Sequence, residues 1–150
     1  HCVDTWEGGV EHKNARTDMS EVETRFDANI AHATAAAAHP VRFFKHKGES
    51  RLWLPRLIAS GLTSRFDFIY VDGSHQAPDV LSDAVMAFEL LRVGGVMVFD
   101  DYLWTEQFAQ GPDLLRCPKP AVDAFVNLNF RRCRPMMAPL YQFYIQKTAH

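Results

Sequence analysis

Several things are scarce in this sequence, and each scarcity excludes something. No apolar run is longer than a strand, so no segment is expected to span a membrane. The chain opens on His1-Cys2-Val3-Asp4 and not on a basic segment followed by an apolar one, so no secretory leader is visible. There are three cysteines, Cys2, Cys117 and Cys133, far apart and outside any C-x-x-C pair, which points to free thiols in a reducing cytoplasm and away from a disulfide or zinc framework. The net charge is −2 with no basic stripe, which argues against nucleic acid as the main partner. No G-x-G-x-x-G occurs, and Gly8-Gly9 follows a strand end at the wrong spacing to replace it. What remains is a 150-residue chain, 47% hydrophobic, long enough for one domain with a real core.

The chain is organised around Arg65 to Trp104. Phe66 to Val71 reads as a buried parallel strand that ends abruptly at Asp72-Gly73. Val96 to Phe99 repeats the pattern, preceded by Gly94-Gly95 and ended by Asp100-Asp101. Between them Val80, Leu81, Ala84, Val85, Phe88 and Leu91 are spaced as the apolar stripe of a helix. A strand, a helix and a strand in this order form a right-handed crossover with parallel strands. The acidic strand ends then lie together at the carboxyl edge of the sheet, where open α/β folds bind ligands. Three carboxylates gathered there repel one another unless a positive group sits among them, and a divalent cation answers that need.

Before this stretch, a strand ends at Asp4, and a helix over 20–38 opens on a Ser20–Glu23 capping box, carries the stripe Val22, Phe26, Ile30 and Ala33, and stops before Pro40. Val41 to Phe44 reads as the next strand, and Leu52 to Ala59 as a short helix with Pro55 in its first turn and Gly61 at its end. After Trp104, Gln110-Gly111-Pro112 and Cys117-Pro118-Lys119-Pro120 read as a surface loop or lid, followed by a helix marked by Val122, Phe125 and Val126. Arg131 to Ala138 and Tyr141 to Lys147 read as an antiparallel pair turning at Pro139-Leu140, with Pro135 on an edge strand. Of the seven histidines, only His75 stands in a setting that suggests chemistry. Glu7, Glu11 and His12 read as a solvated face, and Arg131, Arg132 and Arg134 as a charged strand edge.

The strand with Asp72-Gly73-Ser74-His75, the helix, the segment Phe99-Asp100-Asp101-Tyr102-Leu103-Trp104 and the closing hairpin resemble the class I S-adenosylmethionine-dependent methyltransferases. Within them the likeness is to the cation-dependent O-methyltransferases of the caffeoyl-coenzyme A, catechol and macrocin groups. The resemblance implies a Rossmann-like, mostly parallel α/β sheet with a C-terminal antiparallel hairpin. It implies Asp72, Asp100 and Asp101 as ligands of Mg2+ or another divalent cation, with a mild lean toward the sugar-modifying branch because residue 101 is Asp. His75 takes the place where several relatives carry a basic lysine, and Tyr102 and Trp104 would wall the substrate pocket. Asp4 would bind the ribose hydroxyls of S-adenosylmethionine, Gly48-Glu49-Ser50 would lie against its adenine, and Asp72 and Gly73 would complete that side.

Each of these residues has a plainer reading. Asp72 can end a turn, Asp4 can cap its loop, His75 can cap the following helix, and Tyr102 and Trp104 can pack under a loop. The resemblance also implies a first strand and glycine-rich turn before Cys2, so the chain is expected to be N-terminally truncated. Two functions follow as expectations: O-methylation of a small hydroxylated acceptor, or a noncatalytic remnant that keeps the scaffold without cofactor affinity. A hydrolase on the same carboxylates would need phosphate-binding groups that are not seen near them. Neither a nucleic-acid nor a membrane partner is expected, and a homo-oligomer is allowed.

Overall fold

The structure, a computed structural model, describes residues 1–10, 12, 18–106, 108–139 and 141–150; Glu11 and Leu140 of the sequence reading lie outside them. The chain forms two compact units, His1–Glu49 and Ser50–His150.

In the first unit, β1 (Cys2–Asp4) and β2 (Lys45–Lys47) pair in parallel, with α1 (Val22–Ala36) between them in the chain. The expected strand over 41–44 is thus displaced to Lys45–Lys47. Val41 and Phe44 are half exposed, and the ladder to β1 begins only where Cys2 donates to the Phe44 carbonyl at 2.9 Å. The expected capping box is absent, because each partner is engaged elsewhere. The Ser20 amide donates to Asp18 Oδ1, and the Glu23 carboxylate pairs with Lys45 and Lys47. Phe26 of the predicted stripe rests its ring on Trp6 at 5.0 Å, and Lys45 Nζ lies 4.4 Å from the Trp6 ring centre.

The second unit holds α2 (Ser50–Leu57), β3 (Phe66–Val71), α3 (Ala77–Leu90), β4 (Leu91–Phe99), α4 (Pro118–Leu128), β5 (Cys133–Pro135) and β6 (Phe143–Lys147). The strands form a four-stranded sheet in the order β3-β4-β6-β5. β3 and β4 are parallel, whereas β6 runs antiparallel to both β4 and β5. Pro135, which has no amide hydrogen to give a ladder, sits on the outer strand as expected.

Because α2 begins at Ser50 and not at Leu52, Pro55 falls inside the helix instead of in its first turn. A proline there removes an interior backbone donor. The helix continues as a wider turn over Ile58–Leu62, within which Gly61 adopts φ 84°, a conformation costly for residues with a Cβ. The segment read as a loop at 118–120 is the first turn of α4, where prolines lose no helical hydrogen bond.

The core lies between the sheet and the helices α3 and α4, and includes Val80, Ala84, Phe88, Met97, Phe99, Val122, Phe125 and Ile145. The stripe of α3 is slightly rotated from the expected one: Val85 is 51% exposed, while Ala77, Ala87 and Leu90 are buried. The far end of this helix is closed by Lys147, which is 1% exposed and donates through Nζ to the carbonyls of Phe88 at 2.7 Å and Leu91 at 2.8 Å. Burial pushes its ammonium pKa down, while a cation beside the terminal carbonyls suits their partial negative charge.

β4 starts at Leu91, directly after α3, and pairs Leu91 with Phe66 before the register jumps to Val96 opposite Phe68. The chain bulges between these pairs, with Gly94 at φ 85°. A Cβ at Gly95 would stand 2.8 Å from Leu91 Cδ1 and 3.0 Å from the backbone oxygens of Arg92 and Asp67. Two of those neighbours are main chain and cannot turn aside. Gly95→Ala is therefore expected to cost roughly 1–3 kcal/mol, as overpacking typically does. Urea unfolding checks this, and a midpoint equal to wild type would show that the bulge yields.

Candidate active site

β3 and β4 are neighbouring parallel strands, so their carboxyl ends open at one edge. Asp72 follows β3 and Asp100 follows β4, and the amide of Asp100 donates to the carbonyl of Val71 at 3.0 Å, which ties the two tips together. Asp101 turns the chain at φ 50°, a left-handed conformation that Asp tolerates better than most residues. One oxygen from each of Asp72, Asp100 and Asp101 lies within 4.8 Å of the others. A hollow of about 10 Å³, close to the space one water needs, is lined by Asp72, Gly73, His75, Val80, Asp100 and Pro118 among others.

The surrounding side chains stabilise the charge. His75 Nε2 lies 2.9 Å from Asp101 Oδ2, and its ring stacks on Trp104 at 4.2 Å between centres. Just before α3, Ser74 Oγ accepts from the Gln76 amide at 3.0 Å. Gln142 Nε2 donates to Asp100 Oδ1 at 3.1 Å and to Tyr70 Oη at 2.7 Å. Burial pushes the Asp100 carboxyl up, but hydrogen bonds from Tyr70, Gln142 and the Asp101 amide, with the charge of His75, hold it below the usual carboxylate range. Tyr141 donates to Asp101, and that bond raises the pKa of its hydroxyl. Burial, and then its bond to Asp100, do the same for Tyr70.

Tyr102 and Trp104, expected together as substrate walls, have different surroundings. Trp104 lies over His75 beside the acidic tips. Tyr102 is 7% exposed, donates to Asp123 Oδ1 at 2.7 Å, accepts from Lys119 Nζ at 2.9 Å and packs its ring 4.8 Å from that of Phe143. Its side chain thus fastens α4 to the strand tip.

Of the residues expected around the cofactor, Asp4, Gly48 and Glu49 belong to the first unit and Ser50, Asp72 and Gly73 to the second. Asp4 ends β1, accepts from the Trp6 amide at 2.8 Å through Oδ1, and receives the Gly48 amide on its carbonyl at 2.8 Å. A cleft of about 350 Å³ opens beside it, lined by Thr5, Trp6, Glu7, Met19, Ser20, Glu23 and Lys47. Ser50 hydrogen-bonds the Asp83 carboxyl, which burial pushes up, and a Cβ on Gly73 would meet Asp83 Oδ2 at an ordinary 3.5 Å. Tyr70, Tyr141 and Gln142 escape the sequence reading. The first shares the strand face that leads to Asp72, two residues on, and the other two carry no local signal at all.

An open α/β layer with carboxylates at the tips of adjacent parallel strands defines a ligand-binding domain of the Rossmann-like kind. The chain belongs to the methyltransferase domain family, whose model matches residues 1–102. Tricin synthase 1 of Oryza sativa subsp. japonica is 36% identical to it over 81 residues, 53% of this chain and 31% of that relative, so the chain spans under a third of the relative's length. A solved structure from Corynebacterium glutamicum shares the fold at a TM-score of 0.64 and 16% identity, covering 99% of this chain and 60% of that one. These matches bear out the expected Rossmann-like methyltransferase fold, although the four-stranded sheet is mixed, with one parallel and two antiparallel pairings, and not mostly parallel as expected. Among the described residues no helix is long and apolar enough to cross a membrane.

Proposed function

We propose that this domain serves S-adenosylmethionine-dependent O-methylation of a small hydroxylated acceptor such as a sugar, assisted by a divalent cation. The observation that carries the reading is the meeting of Asp72, Asp100 and Asp101 within 4.8 Å at the tips of β3 and β4. Carboxylate oxygens are the donors that magnesium prefers, and three of them leave coordination positions for water and an acceptor oxygen. When bound, the cation would lower the pKa of an acceptor hydroxyl, and S-adenosylmethionine would supply the methyl whose bond to sulfur breaks as the new carbon–oxygen bond forms.

The chain's own residues supply orientation and proton handling. His75 Nε2 donates its hydrogen to the Asp101 carboxylate, so in this tautomer Nδ1 is the ring nitrogen that would receive the hydroxyl proton. Asp101 Oδ2, 2.9 Å away, then holds the imidazolium. Trp104 keeps the imidazole plane fixed by stacking on it and would form one wall for the acceptor. Within the first unit, Asp4 at the end of β1 would hold the ribose hydroxyls, with Gly48 and Glu49 beside it.

Calorimetric titration of this chain with S-adenosylhomocysteine, with and without magnesium, tests the reading. Saturable heat is expected, and stronger turnover of S-adenosylmethionine with magnesium and a hydroxylated acceptor present. An absence of saturable heat favours the noncatalytic binding module.

A further inference from the structure

We propose that Gln142 is a positioning residue that fixes the rotation of the Asp100 carboxylate and so sets the cation affinity of the acidic tips. The proposal rests on the cation reading above and adds to it a residue outside the acidic set. Gln142 lies just before β6, on the hairpin, and 42 positions along the chain from the group it serves. Its Nε2 bridges two acceptors, Asp100 Oδ1 at 3.1 Å and Tyr70 Oη at 2.7 Å. Its Oε1 accepts from the Tyr144 hydroxyl at 2.7 Å. An amide flip would turn Oε1 toward a carboxylate, so the charge on Asp100 and the hydroxyl of Tyr144 both select the observed orientation.

The amide is thus held at both ends before any ligand arrives. The hairpin is in turn joined to the strand tip, because the Tyr102 amide donates to the Tyr141 carbonyl at 2.9 Å. With Oδ1 of Asp100 engaged, the carboxylate cannot swing freely about its Cβ–Cγ bond, and its remaining lone pairs stay directed at the hollow shared with Asp72. Outer partners of this kind are worth about 10–100-fold in metal affinity because they fix a ligand that would otherwise pay rotational entropy on binding.

The test is titration of the chain with Mn2+, followed by electron paramagnetic resonance, together with thermal melting with and without the ion. Gln142→Met keeps the length and removes all three side-chain hydrogen bonds, and it is expected to weaken Mn2+ binding by about 10–100-fold. Tyr144→Phe, which frees only Oε1, is expected to weaken it less and in the same direction. Metal-free melting should stay near wild type in both, while the rise in melting temperature at a fixed Mn2+ concentration shrinks, since that rise depends on affinity. A Gln142→Met variant with wild-type Mn2+ affinity, beside an Asp100→Ala variant that binds none, overturns the role of Gln142 and leaves the cation reading standing. A metal-free melting loss with an unchanged Mn2+-induced rise marks a purely structural role and also overturns it. Failure of the wild-type chain to bind Mn2+ overturns both.

Discussion

Asp100→Ala is expected to abolish magnesium-dependent turnover while leaving the domain folded. Its carboxylate is held by hydrogen bonds from Tyr70 and Gln142 and lies next to Asp101. Its removal takes one of three ligand oxygens and frees Gln142 from its anionic partner. Losing a direct ligand should exceed the cost of losing an outer partner, so a drop of more than about 100-fold is expected in turnover and in cation affinity. The fold should tolerate the change. The backbone bond from residue 100 to the Val71 carbonyl does not involve the side chain, and alanine removes one of three mutually repelling charges. Tyr70, 42% exposed, can replace its lost bond with water. Two measurements are needed: S-adenosylhomocysteine release across a panel of hydroxylated acceptors with magnesium present, and the metal-free melting temperature. Undiminished release would count decisively against the site.

This prediction was reachable from the sequence because the features behind it are local. Phe66–Val71 is a strand along its full predicted length, since an aromatic and β-branched run closed by Asp72-Gly73 has few other solutions, but it is not buried as expected: it edges the four-stranded sheet and leaves Phe68 56% and Tyr70 42% exposed. The crossover rule then brings Asp72 and Asp100 to one edge without any knowledge of distant contacts. What was not legible depends on partners far along the chain. Lys45–Lys47 looks like a charged loop, yet it is a strand because its backbone meets β1 and its side chains find Glu23 and Asp27. Lys147 looks like a solvated end to a strand, yet it is buried because its amine reaches two carbonyls at the end of α3. Gln142 has no motif around it, and only the antiparallel register of β6 against β4 carries it to Asp100. The rotation of α3 that exposes Val85 is of the same kind, because four apolar positions fit a stripe of either phase and the sheet decides between them.

Phe88→Ala is expected to produce the largest loss of stability of any single truncation in the second unit. The side chain is 1% exposed and sits where three elements meet. Its ring meets Phe125 of α4 edge-on at 5.3 Å, and the Nζ of Lys147 from β6 lies 4.5 Å from its centre. The Arg132 guanidinium lies 5.1 Å from the same ring. Truncation removes the apolar transfer energy and leaves a cavity, together worth about 3–5 kcal/mol for a buried phenylalanine. It also strips the aromatic face from a buried ammonium, an interaction worth up to about 2 kcal/mol when desolvated. The carbonyls of Phe88 and Leu91 remain to hold Lys147, so the upper half of the cavity range is the expected outcome and not the sum. Against a total stability of about 5–15 kcal/mol, that is enough to bring a domain close to its unfolding midpoint at physiological temperature. Leu128→Ala supplies the comparison, because Leu128 belongs to α4 but is 83% exposed and should change stability by no more than about 0.5 kcal/mol. Urea unfolding of the two variants side by side decides the matter: if they lose similar amounts, the sheet–helix core does not close over Phe88 as described.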